Sequence, residues 1–161
     1  MKRLVKSALL SFLLTASVYA TAALAPPQPA RDILGVRVGM SAEPARIQLQ
    51  KIGRFQKAER KRHEVWEVRD PHFSHLIIQF DKATKLVHFV TAVARSDAKR
   101  EPMRYSDVAE LKYARQKGEA AKNNFRYEWG LEADGKDPKI NIVAWGRDPQ
   151  YLQYYSIELA N

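Results

Sequence analysis

Two stretches of this chain alternate apolar and polar side chains with a period of two. From His75 to Asp81, Leu76, Ile78 and Phe80 fall on one face; from Phe125 to Leu131, Phe125, Tyr127, Trp129 and Leu131 alternate with Arg126, Glu128 and Gly130. A helix cannot keep such a pattern on one side, so both stretches read as half-buried β-strands. Ile140, Ile142 and Ala144 repeat the pattern, and Tyr151 to Leu159 follows the Asp148-Pro149 turn. Leu86 to Arg95 is apolar on both faces, as a central strand would be, with His88 and Thr91 as the deviating residues. A short strand, Glu64 to Arg69, closes at Asp70-Pro71.

Two segments carry helix signals instead. Ser41 is a candidate N-cap, with Glu43 in the first turn and Pro44 where amides lack intrahelical acceptors. Ala45, Leu49 and Ile52 share a face, and Gly53 ends the run. Ser106 is read as the cap of a second helix over Asp107 to Gln116, facing inward through Val108, Leu111 and Ala114, with Gly118 opposing extension. The expected fold is therefore α+β, in the order helix-β-β-β-helix-β-β-β. An antiparallel sheet of about six strands would be covered on one side by two helices. Residues 33–161 are expected to form a single domain, whose halves 33–95 and 106–161 share an outline but no residue-by-residue match.

The segment before this domain reads as an address. Lys2, Arg3 and Lys6 precede an apolar core from Ala8 to Leu14, and small residues around Ala20 and Ala22 offer cleavage sites. That layout is a secretory signal over residues 1–22, too short in its apolar run for the ~20 residues a span needs. Residues 23–32, with Pro26-Pro27-Gln28-Pro29, are expected to be an extended tether. The destination is periplasmic or secreted, with no transmembrane span after cleavage. Removal of the signal leaves 24 basic against 18 acidic residues, a mature charge of +6. The imbalance is uneven: residues 31–69 hold ten basic and five acidic side chains, residues 128–161 three and six. This suggests either internal complementarity or a positive binding face.

The entry Gly35-Val36-Arg37-Val38-Gly39-Met40-Ser41, and the later Phe80-Asp81-Lys82 to Val87 turn, resemble the β-lactamase-inhibitor-protein-like fold. That group includes the SmpA/OmlA-type outer-membrane assembly lipoproteins, and the resemblance spans residues 33–95. It implies a helix laid across an antiparallel sheet, and a binding module in place of an enzyme. The chain holds no cysteine, so it offers neither the acylated residue of the lipoproteins nor the disulfides of the secreted inhibitors.

Chemistry-bearing constellations are sparse. Without cysteine there is no thiol nucleophile or thiolate zinc site. There is no Gly-x-Ser-x-Gly elbow and no glycine-rich phosphate loop. Asp70, His72 and His75, with His88 on the next strand, form a candidate metal set for a metal-dependent hydrolase, though Pro71 places them on a loop entering a strand. The expectation is a non-enzymatic protein without cofactors. Two surfaces are candidates for binding. One is the basic run Arg54, Lys57, Arg60, Lys61, Arg62, read as a loop after the first helix, suited to an acidic protein or, alternatively, to an anionic envelope polymer or lipid headgroup. Phe55 and Trp66 flank this run, but export argues against nucleic acid as the partner. The other is an exposed sheet face opposite the core aromatics, carrying Arg126, Glu128, Trp145, Arg147 and Tyr154. The reading is an exported envelope protein that binds another protein through this face or the basic loop.

Overall fold

The computed structural model describes residues 29–59, 63–96 and 101–160, and the expected signal and the residues Arg60, Lys61 and Arg62 lie outside them. The elements are β1 (Asp32–Ile33), β2 (Val36–Arg37), α1 (Ala42–Ile52), β3 (Gly53–Glu59), β4 (His63–Val68), β5 (Phe73–Phe80), β6 (Val87–Ala94), β7 (Arg115–Gln116), β8 (Phe125–Leu131), β9 (Ile140–Gly146) and β10 (Tyr154–Leu159). β1 and β2 form a small hairpin. The others make one antiparallel sheet in the order β3-β4-β5-β6-β10-β9-β8-β7. From either edge the order runs through four strands to the β6–β10 pair. At that junction Thr91 Oγ1 and Ser156 Oγ are buried 2.6 Å apart, which explains the polar residue inside an apolar strand.

The entry segment is held by its glycines. Gly35 and Gly39 have φ of 81° and 82°, a region costly for residues with a Cβ. Gly39 N–H donates to Val87 O and Val87 N–H to Met40 O, each at 2.8 Å, which stitches the entry to β6 before α1 begins. α1 buries Ala45 and Leu49 against the sheet. Ser41 starts it through its backbone, accepting from Ala45 N–H at 3.1 Å, and its hydroxyl caps nothing. Gly53 is extended rather than left-handed; a Cβ there would stand 2.1 Å from Glu67 O, so glycine is required by the approach of β4.

The architecture differs from the expected α+β arrangement. It is mostly β, with eight strands in the main sheet and α1 as the one α-helix among the described residues. The second helix is absent: Asp107 to Gln116 contains the end of one 3₁₀ turn, Tyr105–Asp107, the whole of another, Leu111–Tyr113, and then β7. Ser106 is not its cap; Asp107 instead turns back to accept Arg104 N–H at 2.7 Å. A helix of about ten residues is marginal without strong packing, and Val108, Leu111 and Ala114 make a narrow stripe. The irregular path satisfies more partners. It buries Tyr105, whose hydroxyl donates to Asp148 O at 3.2 Å and approaches Phe125 O at 3.4 Å. It brings Glu110 O to Trp129 Nε1–H at 3.2 Å, and it pairs Arg115–Gln116 with the otherwise open edge of β8.

The described part of the basic run, Arg54 and Lys57, is likewise not in a loop. Gly53–Glu59 is edge strand β3, paired with β4 and kinked by a bulge between Phe55 and Lys57. Its charges lack apolar alternation, which hides it from a periodicity test, yet cationic residues suit an edge that must resist pairing with other chains.

Ladder register assigns the faces. Trp66, Leu76, Ile78, Val90, Ala92, Ile157, Tyr155, Ala144, Ile142, Tyr127 and Trp129 point to the core side. There α1 covers the β3–β4 end, and Tyr105, Val108 and Leu152 join the core toward the other end. Charge complementarity is internal in part: Arg31 donates to Pro138 O at 3.0 Å and to Glu132 O, and Arg37 faces Asp137 at 3.6 Å.

Candidate functional site

On the other face of the sheet the register builds three rows of side chains. The central row runs Val65, Ile77, Thr91, Ser156, Val143, Glu128, Arg115. One flanking row runs Arg54, Glu67, His75, Val93, Tyr154, Trp145, Arg126; the other runs His63, Gln79, Phe89, Glu158, Asn141, Gly130. α1 packs on the opposite side. Ile77, Phe89, Val93, Trp145 and Tyr154 are half-buried, shielded by their neighbours in the rows.

The aromatic residues gather in two places. Trp145 and Tyr154, paired across β9 and β10, stack with centroids 4.7 Å apart and planes 17° from parallel. His63 and Phe89 meet edge-on at 5.4 Å. Beside the stacked pair, Arg126 donates to Glu128 at 2.8 Å and Lys117 Nζ lies 2.8 Å from its other oxygen. Burial alone would discourage the Glu128 charge, but the bonds from Lys117 and Arg126 hold its pKa below the usual carboxylate value. Across the face, Arg54 Nε and Gln56 Nε2 both donate to Glu67 Oε2 at 2.7 Å, and the bond from Arg54 lowers the Glu67 pKa.

Of the residues singled out in the sequence, Arg54, Lys57, Trp145 and Tyr154 belong to this face, and Arg126 and Glu128 share it as the alternation implied. They are not one cluster. Arg54 and Lys57 sit on the outermost strand, four strands from Tyr154, roughly 19 Å at the usual strand spacing. The residues that sequence reasoning passed over are Ile77, Val93 and Phe89. Their signal was an apolar side chain out of phase with the core residues: Ile77 opposite Leu76 and Ile78 in a strand read as half-buried, and Phe89 and Val93 opposite Val90 and Ala92 in a strand read as apolar on both faces.

Among the described residues, no group of three or more His, Cys, Asp or Glu could hold a metal ion. Asp70 Oδ1 instead accepts the backbone N–H groups of His72 and Phe73 at 2.8 and 2.9 Å, a turn cap. His75 Nδ1 lies 3.1 Å from Ser74 Oγ, and His88 is exposed. No described helix is long and apolar enough to cross a membrane.

Where β6, β9 and β10 reach the edge of this face, a cavity of 710 Å³ opens beside the Trp145–Tyr154 stack. A second groove, of 470 Å³, lies between α1 and the β3–β4 hairpin. Inside it Arg46 bonds Glu64 at 2.6 Å and lies over the Phe80 ring, while Glu64 also accepts from Trp66 Nε1 at 3.1 Å. Those contacts fasten the helix to the hairpin.

Fold and face together define a β-sheet protein closed on one side and carrying a mixed aromatic and charged surface on the other. The chain matches no family model, no curated protein and no solved structure.

Proposed function

We propose that this chain is an exported, non-enzymatic protein of the cell envelope that docks a partner protein on the open face of its sheet. The observation that carries the reading is that face itself. Eight strands present half-buried Ile77, Val93, Phe89, Tyr154 and Trp145 within a frame of Arg126, Glu128, Arg54 and Glu67, and α1 leaves them uncovered. Aromatic and arginine side chains in an apolar centre with a charged rim are the composition of protein interfaces. The inhibitor-like entry at Gly35 to Ser41 and the secretory layout of residues 1–22 support it further.

A photo-reactive residue at Ile77 tests the reading, with one at Gln50, exposed on α1, as the control. Expressed in the native envelope, the Ile77 probe is expected to give one discrete protein adduct that disappears when Trp145→Ala is added. Equal adducts from Gln50, or adducts indifferent to Trp145→Ala, would contradict it.

A further inference from the structure

The cavity at the corner of the open face sets stacked aromatics beside cations and amides. Trp145 and Tyr154 form one wall, Lys122 and Arg147 bring positive charge, Asn124 and Gln153 bring amides, and among the described residues no carboxylate lines it. Its volume of 710 Å³ lies within the range of roughly 300–1,000 Å³ typical of ligand pockets. The two cations differ. Lys122 lies 2.6 Å from Glu119, whereas Arg147 is exposed and makes no ion pair or side-chain hydrogen bond among the described residues. The nearest acid in sequence, Asp148, is engaged elsewhere: its Oδ1 accepts Gln150 and Tyr151 N–H at 2.7 and 3.0 Å.

Tryptophan, tyrosine and arginine are the side chains that dominate binding energy at protein interfaces, and asparagine and serine are the adaptable hydrogen-bonding complement. All converge here, since Ser96 also lines the cavity. With Arg147 unpaired and no acid in the wall among the described residues, the complementary occupant is negative.

We infer that this corner is the anchor of the docking face and that it receives an acidic segment of the partner protein. An Asp or Glu side chain of that segment meets the Arg147 guanidinium in a charge-assisted hydrogen bond, while a neighbouring apolar or aromatic side chain lies against the Trp145–Tyr154 stack. Asn124 and Gln153 are placed to bond the segment's backbone, each offering both a donor and an acceptor. The inference rests on the open-face reading above and names the chemistry of its partner.

Two fluorescein-labelled octapeptides serve as probes, one of repeated Glu-Glu-Tyr and one of repeated Lys-Lys-Tyr, titrated with the whole mature protein and followed by anisotropy. The glutamate peptide is expected to bind at least about tenfold more tightly than the lysine peptide, and to weaken as salt screens the contact over ~8–10 Å. Arg147→Glu should abolish the preference, and Lys51→Glu on α1 should leave it intact. Both positions are exposed, so both variants should keep the parent melting temperature. Failure of the glutamate peptide to bind, a missing charge preference, or a preference unaltered by Arg147→Glu would overturn the inference. So would oligogalacturonate binding that depends on Arg147 without glutamate-peptide binding, which would make the occupant an acidic glycan. The two readings fail separately. Ile77 adducts that persist in Arg147→Glu remove the acidic anchor and leave the docking face standing. An Arg147-dependent peptide preference without Ile77 adducts removes the docking face as drawn.

Discussion

The sheet is made of two four-stranded groups that meet at β6 and β10, and they close the core side by different means. In the first group α1 lies over β3 and β4, with Ala45 and Leu49 fully buried and Arg46 fastened to Glu64. In the second, the corresponding cover is a chain of 3₁₀ turns that bury Tyr105 and bond Trp129 through Glu110. The first solution is a periodic apolar stripe, which stabilises by area. The second relies on one large aromatic with a placed hydroxyl and on backbone carbonyls that accept from side chains. Helical order is thus one way to close a sheet, and specific polar anchoring of irregular chain is another.

The sharpest way to break this contrast is to truncate a leucine in each cover. Leu49→Ala removes a fully buried side chain under α1 and should lower unfolding free energy by roughly 2–5 kcal/mol in urea titration. Leu111→Ala, at a position 39% exposed where a helix would have turned it inward, should change stability by less than about 0.5 kcal/mol. Equal losses would mean that the second cover works as a helix does.

Glycine gives an intermediate test. A Cβ at Gly118 would stand 2.1 Å from Asn124 O, the same close approach seen at Gly53 in the first group. Gly118→Ala should cost roughly 1–3 kcal/mol, with hydrogen-exchange protection lost first along β7 and the outer edge of β8. Uniform loss across β3 to β6 as well would contradict the independence of the two covers.

The smallest effect concerns the anchoring hydroxyl. Tyr105→Phe keeps the buried ring and removes the bonds to Asp148 O and Phe125 O, at about 1 kcal/mol. Burial, with the neighbouring Tyr127 and Asp148, raises the Tyr105 pKa to about 12. The folded state therefore favours the neutral phenol. Its contribution is complete below pH 10 and falls as pH rises through about 12, because the unfolded chain releases the proton first. The parent should lose stability over that interval more steeply than Tyr105→Phe, as read from alkaline unfolding curves.

Local pattern made much of this molecule readable. The period-two phases of β5, β8 and β9, the apolar centre of β6, and the Ser41 to Ile52 helix depend on side chains a few residues apart, and each occurs where its pattern lies. The shared face of Arg126, Glu128, Trp145 and Tyr154 follows from those phases once β8, β9 and β10 are adjacent. Edge strands β3 and β7 were not readable, because a charged or two-residue edge strand has no apolar period and exists only through its partner's backbone.

The amino-acid order by itself determined which residues of β5, β8 and β9 turn toward the core, since alternation sets the phase of those strands. Tertiary structure decided the remainder: that 105–116 would coil around Tyr105 instead of forming a helix, that Arg54 and Lys57 would lie on an edge strand, and that Arg147 would stand beside Trp145 and Tyr154. The reason is that a helix of that length gains too little from its own hydrogen bonds, so bonds to Phe125, Asp148 and Trp129, 19 or more residues along the chain from the residues that make them, outweigh its local preference.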